Sequence, residues 1–371
     1  MNPDFFSDTV VVGAGIAGAA LGAHLARRGL EVTLLESEER PGYHSTGRSA
    51  AFWLESYGGA AVSPLTAASR AFLEQPPANF SPHGFLSPRG AIHVARDSVE
   101  QPFADIPPGV ATERLDPARL KSLVPGLRDG WSRGLAEPSC RDIDVAGLHQ
   151  AYLSSLTRMG GKMLTSAELA EASYKGGRWA IRLRDGREGE ATQLVNAAGA
   201  WADEVAKRCG IEPLGFVPKR RTMMQLRVDR QGMKGLPLVA DTEGRFYFRG
   251  EGEQTIWLSP HDETDCDPCD AAPEELAVAE AIDRLGTIVD WKVEKVERKW
   301  AGLRTFSPDR NPVFGRDPGQ PAFFWYAGQG GTGIQSQPAA AALARAIFMD
   351  DEPTGVAGGL STRAFLPERF F

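Results

Sequence analysis

Asp8-Thr9-Val10-Val11-Val12-Gly13-Ala14-Gly15-Ile16-Ala17-Gly18 decides how the chain is read. Its first five residues form a short apolar run suited to a buried strand, and glycines follow at once in the spacing GxGxxG. Ala19 to Gly29 reads as a helix: Ala20, Leu21, His24, Leu25 and Arg28 recur at helical spacing, and Gly29 ends it. Glu31-Val32-Thr33-Leu34-Leu35-Glu36 is a second strand closing on an acid. Glycine spacing alone is a weak signal. Between a strand and a helix, with an acid about 20 residues further on, it specifies a dinucleotide-binding βαβ unit.

Each part has a physical task. Gly13 permits the tight turn, Gly15 lets a pyrophosphate reach the backbone, and Gly18 lets the helix pack closely on the sheet. Free N–H groups around Ile16 and Ala17 and the positive end of the helix dipole then face the phosphates. Glu36 accepts from both ribose hydroxyls and repels a 2′-phosphate, which argues against NADP. The unit alone leaves FAD and NAD both open.

The chain has 371 residues, room for two domains or one large one, and its net charge of −7 gives no basic footprint for nucleic acid. No stretch reaches the length of a spanning helix. Met1-Asn2-Pro3-Asp4-Phe5-Phe6 lacks the basic and apolar regions of a signal peptide, so a cytoplasmic location is expected. Four cysteines are too few for a disulfide scaffold. Cys266-Asp267-Pro268-Cys269 lies in an acidic, loop-like run with no second CxxC, so no metal site is expected.

Further along, Pro64 to Glu74, Asp116 to Leu123 (Asp116 as N-cap, Pro117 first), Asp144 to Met159, Ala202 to Cys209, Pro273 to Leu285 and Gln337 to Met349 read as helices. Met163-Leu164, Ala167 to Tyr174, Trp179 to Leu183 and Ala191 to Val195 read as a meander of strands. The segments 223–228, 238–240, 244–249 and 255–259 read as an antiparallel sheet. Phe323 to Gly328 is a last buried strand before the glycine turn Gln329-Gly330-Gly331-Thr332-Gly333-Ile334-Gln335. The expected fold class is α/β: a Rossmann-like domain from 1–85, 144–215 and 301–371, with an antiparallel-sheet substrate domain from 86–143 and 216–300.

Arg40 to Ala51, with His44-Ser45-Thr46-Gly47-Arg48-Ser49-Ala50-Ala51 at its core, is rich in small and hydroxyl residues that let backbone approach a large flat ligand. This run resembles the second flavin-contacting segment of the FAD-dependent D-amino-acid oxidase and glycine oxidase family, with wording most similar to its D-arginine dehydrogenase branch. The resemblance extends from Gly13 to about Ile347 and implies FAD as cofactor. It places Ala198, Gly199 and Trp201 beside the flavin, with Gly330, Gly331, Thr332, Gly333, Ile334 and Gln335. No cysteine lies near Ser307 to Phe314, where sarcosine-oxidase relatives attach FAD, so non-covalent binding is expected.

Flavin enzymes leave placement and electrostatics to the protein. Arg304, in a sharp turn between apolar neighbours, reads either as a carboxylate anchor or as the partner of an acid such as Asp309. By itself Tyr247 reads as a core or surface aromatic, and Lys219-Arg220-Arg221 as a solvated run. The resemblance implies that Arg304, Arg221 and Tyr247 hold a substrate carboxylate, that the Gly331 carbonyl receives the amine, and that Tyr57 lies near the pocket. It thereby implies oxidative deamination of a D-amino acid, hydride passing from Cα to flavin N5, with oxygen or another electron acceptor completing the cycle. Two departures bear on specificity: the branch's guanidinium-binding acid is replaced at Gly90-Ala91, and its pocket histidine at Phe52. Neutral or hydrophobic side chains are therefore expected over arginine, with Glu55 and His93 as the nearby groups able to redirect the pocket. Oxidation of a secondary amine such as sarcosine or proline, or of glycine, is the alternative. A flavin-binding module without turnover is a further one.

Overall fold

The computed structural model describes residues 3–371, so Met1 and Asn2 of the N-terminal reading lie outside it. One eight-stranded sheet runs in the order Leu169–Lys175, Arg178–Leu183, Glu188–Asn196, Phe5–Val12, Val32–Leu35, Lys162–Leu164. Phe323–Ala327 joins beside Glu188–Asn196, and Val313–Arg316 pairs with Phe323–Ala327. The centre is parallel: Val10 lies opposite Leu194 and Thr33.

Side chains alternate across this sheet as the pleat requires. Val11, Leu34, Val195, Phe324 and Tyr326 pack under the helices Ile16–Ala26, Val145–Arg158 and Gln337–Phe348. Val10, Val12, Leu35, Leu194, Phe323 and Trp325 face the meander and the helix Ala202–Arg208. The result is a three-layer α/β body, as the glycine-loop reading requires.

The second sheet has nine strands, in the order Thr264–Asp265, Val217–Val228, Thr255–Ser259, Tyr247–Gly250, Leu238–Asp241, Ala91–Ala95, Arg133–Glu137, Glu113–Leu115, with Val293–Phe306 on Val217–Val228. It is mixed, not purely antiparallel, because Leu238–Asp241 runs parallel to Ala91–Ala95. A small third sheet joins Phe52–Trp53, Arg141–Ile143 and Leu86–Pro88.

Several local readings change. Arg304 is in no turn: it lies near the end of the fourteen-residue strand Val293–Phe306, which stays paired with Val217–Val228 past residue 300. Lys162–Leu164 leaves the meander and pairs parallel with Val32–Leu35. The first helix starts at Ile16, three residues before Ala19, since its opening turn is the glycine loop itself. The helix expected from Pro64 starts at Gly59 and carries Pro64 internally. Leu86–Ala95 is two strands in two sheets, broken at Gly90, whose φ of +75° suits glycine. The cap at Asp116 is as read, its Oδ1 accepting from Arg119 N at 2.8 Å. Among the described residues no helix is long and apolar enough to cross a membrane.

Candidate functional site

The glycine loop opens on an elongated cavity of about 320 Å³ that runs along the ends of the first sheet's strands towards Arg304. Two of the loop's three glycines are required by space. A Cβ on Gly18 would stand 1.9 Å from Gly13 O, and one on Gly13, at φ +100°, would stand 2.5 Å from Ala197 O. Gly15 has no side chain to cap the helix, and its own N–H meets no acceptor among the described residues, so this N–H is open to an anion. Thr46 Oγ1 accepts from Ile16 N at 3.0 Å and ties the hydroxyl-rich run to the loop.

Glu36 is buried at 7% exposure on the cavity wall. One oxygen accepts from Ala14 N and the other from Glu38 N, both at 3.0 Å, which fixes the carboxylate. His149, which the sequence reading missed, donates Nε2–H to Ala14 O at 2.8 Å. Burial holds its pKa below the ordinary histidine value, so it is neutral. Its partner is a backbone oxygen 135 positions away, for which no sequence pattern exists.

Gly13, Gly15, Ile16, Ala17, Glu36, His44, Ser45, Thr46, Ser49, Ala198, Gly199, Trp201, Gly330, Gly331, Gly333 and Ile334 line this cavity. Gly18, Gly47, Arg48, Ala50, Thr332 and Gln335 do not. Gly18 serves helix packing. Arg48 donates to Ala271 O at 3.0 Å, Ala301 O at 3.1 Å and Asp270, clasping the hydroxyl-rich run to the second sheet. Gln335 is buried and spent on a loop: its Oε1 accepts from Leu54 N at 3.1 Å, and its Nε2 donates to Tyr57 O at 3.0 Å and Thr66 Oγ1 at 3.1 Å.

The residues fit a flavin dinucleotide: the glycine loop at a helix start, with a Gly15 N–H that has no acceptor among the described residues, suits the diphosphate, and the buried Glu36 carboxylate beside it suits a ribose. Gln337 sits on the cavity wall beneath the glycine turn, its Nε2 donating to Tyr326 OH at 2.7 Å.

At the far end four groups from distant segments converge. Arg304 is 8% exposed and lines the cavity. Its Nη2 donates to Arg48 O at 3.1 Å, and it has no acidic partner among the described residues. Asp309, the expected alternative partner, is held by Arg369 at 2.7 Å. Burial pulls the Arg304 pKa below the ordinary arginine value, with Arg221 adding to that effect; an arginine starts so high that it stays charged. Arg221 is 3% exposed, donates to Asp262 O at 2.8 Å and pairs with Glu263 at 3.0 Å. Its Nη1 lies 3.5 Å from Tyr57 OH. A Cβ on Gly331 would meet Tyr57 OH at 2.4 Å. Burial raises the Tyr247 pKa, so its hydroxyl keeps its proton.

Tyr57 and Tyr247 also wall a second cavity of about 150 Å³, shared with Phe52, His93 and His261. His93 thus enters the pocket, whereas Glu55 is not among its walls. His261 was not singled out in the sequence, where it sits in an acidic loop. Its Nδ1 donates to Gly244 O at 2.8 Å, and burial, helped by Arg221, lowers its pKa to about 4. Cys266 and Cys269 are free in a loop, with sulfurs 3.6 Å apart.

Comparison with known proteins agrees with this geometry. The family model described as FAD dependent oxidoreductase matches residues 8–347. Glycine oxidase of Pseudomonas aeruginosa is 30% identical over an alignment of 387 residues, covering 93% of this chain and 95% of that protein. In structure, glycine oxidase from Geobacillus kaustophilus superposes with a TM-score of 0.81 at 19% identity, over 97% of this chain and 98% of the other. L-proline dehydrogenase from P. horikoshii superposes at 0.82 and 22%, over 98% and 97%. These likenesses do not single out the D-arginine branch. The chain belongs to the DAO family of FAD-dependent oxidoreductases.

Proposed function

We propose that this enzyme oxidises the α-amine of D-amino acids with neutral or hydrophobic side chains. The observation that carries the reading is Arg304: a buried guanidinium on the cavity wall with no acidic partner among the described residues. A buried cation is costly unless an anion meets it, and a carboxylate matches the planar fork in two hydrogen bonds. Arg221, already paired with Glu263, adds field and orientation, the Tyr57 hydroxyl donates to the same carboxylate, and the Tyr247 hydroxyl turns to it from Met223 Sδ, to which it donates at 3.1 Å. The Gly331 carbonyl accepts from the neutral amine, which fixes the face that Cα presents.

Bound FAD, held non-covalently by the glycine loop, Glu36, the Thr46 run and the Gly330–Ile334 turn, supplies the two-electron acceptor for the hydride leaving Cα. The chain's part is to bind, orient and exclude water. The imino acid that leaves hydrolyses in water to a keto acid and ammonium. Oxygen or another acceptor then takes the electrons. The dinucleotide domain is assigned to 1–85, 144–215 and 301–371 and the substrate domain to 86–143 and 216–300, with the qualification that Val293–Phe306 crosses that border as one strand. A cytoplasmic location suits this chemistry.

A second reading, oxidation of glycine or of a secondary amine, is favoured by the relatives, which are named glycine oxidase and L-proline dehydrogenase. One experiment separates the two. The oxidised holoenzyme is mixed without oxygen with each D- and L-amino acid, glycine, sarcosine and proline, and loss of flavin absorbance is followed. Bleaching by neutral D-amino acids supports the first reading. Bleaching confined to glycine, sarcosine or proline replaces it with the second.

A further inference from the structure

We infer that the second cavity is a side-chain pocket that selects uncharged side chains ending in a hydrogen-bonding group, with His93 as the selecting residue. The inference rests on the amino-acid reading above and names the substrate class within it.

Four rings form a closed circuit around this cavity. Phe52 and Tyr57 lie 6.1 Å apart, Tyr57 and His261 6.2 Å, His261 and Tyr247 5.6 Å, and Tyr247 and Phe52 5.6 Å, between ring centroids. Tyr57 and Tyr247 belong also to the group around Arg221 and Arg304. A ligand anchored there by its carboxylate sends its side chain between these rings.

His93 stands on the wall beyond them, 7% exposed, on the strand Ala91–Ala95. Its Nε2 lies 2.9 Å from Oε2 of Glu137, a fully buried carboxylate on the neighbouring strand Arg133–Glu137. The other oxygen of Glu137 accepts from Glu55 N at 3.1 Å and Ser56 N at 3.3 Å. Burial alone would raise the Glu137 pKa, but the hydrogen bonds from His93 and Ser56 carry it below the ordinary carboxylate value, so Glu137 is ionised. This pins the imidazole with Nε2–H towards Glu137.

The residue lines the cavity, and Nδ1 has no partner among the described residues. It accepts when the ring is neutral and donates when the ring is charged. Hydroxyl and amide groups satisfy it in either state. An aliphatic side chain covers it and leaves it unpaired. A cationic side chain finds two acids on the walls. Asp241 is spent on Arg245 at 2.6 Å, and Asp105 is exposed at the rim, where a charge pair is weak.

The test uses near-isosteric pairs: D-threonine with D-valine, D-asparagine with D-leucine, D-glutamine with D-methionine, and D-alanine as the short reference. Anaerobic flavin bleaching gives a reduction rate over an apparent Kd for each. In the wild type the polar member should lead by about 10- to 100-fold, the scale set by leaving one buried neutral acceptor unpaired. In His93→Leu that lead should vanish, with D-threonine losing far more than D-alanine. Glu137→Gln, which keeps volume but turns one of the two accepting oxygens into an NH2 donor, should narrow the lead and serves if His93→Leu does not fold.

Aliphatic members equal to or faster than their polar partners would overturn the inference. So would D-lysine or D-arginine outrunning every neutral substrate, which would make Asp105 the selecting group. Equal losses for D-alanine and D-threonine in His93→Leu would make His93 structural and overturn it too. If D-alanine and every other D-amino acid leave the flavin oxidised while glycine, sarcosine or proline bleaches it, the parent reading falls and takes this one with it.

Discussion

The two ends of the long cavity are built by different means. At the glycine loop the recognising atoms are backbone N–H groups, and the sequence's part is to remove side chains. At the Arg304 end the polar atoms belong to side chains, each delivered by a different segment: Tyr57, Arg221, Tyr247 and Arg304. The first end is local, and eleven consecutive residues spell it. The second exists only after Val217–Val228 and Val293–Phe306 have paired along their length, which sets Lys219 against Arg304 and Arg221 against Gly302. A site made of absences tolerates no addition, and a site made of convergent charges tolerates no deletion.

The largest expected effect of breaking that contrast is at the charged end. Arg304→Ala should cut kcat/KM for a carboxylate substrate by the equivalent of roughly 2–5 kcal/mol, with flavin content preserved. Arg304→Lys should recover only part, since an ammonium lacks the planar fork. Steady-state kinetics beside the flavin-to-protein absorbance ratio checks both. Near-normal kinetics in folded Arg304→Ala would remove the contrast.

Next in size is a pH effect that reaches both ends. His24, on the back of the glycine-loop helix, and His261 are both lowered to about 4, chiefly by burial. Between pH 6.5 and 4 the unfolded chain therefore binds more protons than the folded one. Stability is full above pH 6.5 and falls as the pH drops towards 4. For His24 this is up to about 3 kcal/mol, less what solvent screening of its part-exposed ring removes. Melting temperatures at pH 7 and 5 should differ, and His24→Gln should flatten the difference.

At the glycine end, Gly18→Ala adds a Cβ 1.9 Å from Gly13 O, against backbone that cannot swing aside. A cost of up to about 3 kcal/mol is expected, with loss of flavin on gel filtration. Smallest for the cofactor is Gln335→Met. It should lower the melting temperature by leaving Leu54 and Tyr57 backbone groups unpaired, at roughly 1–3 kcal/mol, yet keep the flavin. Loss of flavin before unfolding would return Gln335 to the cofactor end.

The same contrast explains what was legible. Gly13, Gly15, Gly18 and Glu36 were readable because their geometry is set within thirty residues of chain by a strand, a turn and a helix. The three-layer body followed from them and from the apolar runs. Arg304 looked like a turn residue because Gly302 and Pro308 flank it; only pairing with Val217–Val228 holds it extended. Its independence from Asp309 could not be read, because the competing partner, Arg369, lies sixty positions away. His93 was noticed for its place in the sequence, but its role depends on Glu137, which arrives from the adjacent strand with no motif to announce it. Sequence periodicity reports which face a residue occupies, not which residues meet there.

The order of the first sheet has a consequence in time. Glu188–Asn196 forks: its beginning pairs with Arg178–Leu183 and its end with Phe323–Ala327, whose following turn closes the cavity. A chain emerging residue by residue from the ribosome makes the glycine loop first and the Gly330–Ile334 wall almost last. The loop must wait through most of synthesis for the strand that completes its cleft. A chain interrupted before Phe323 carries the glycine loop and the Thr46 run without the strand and turn that complete the cleft.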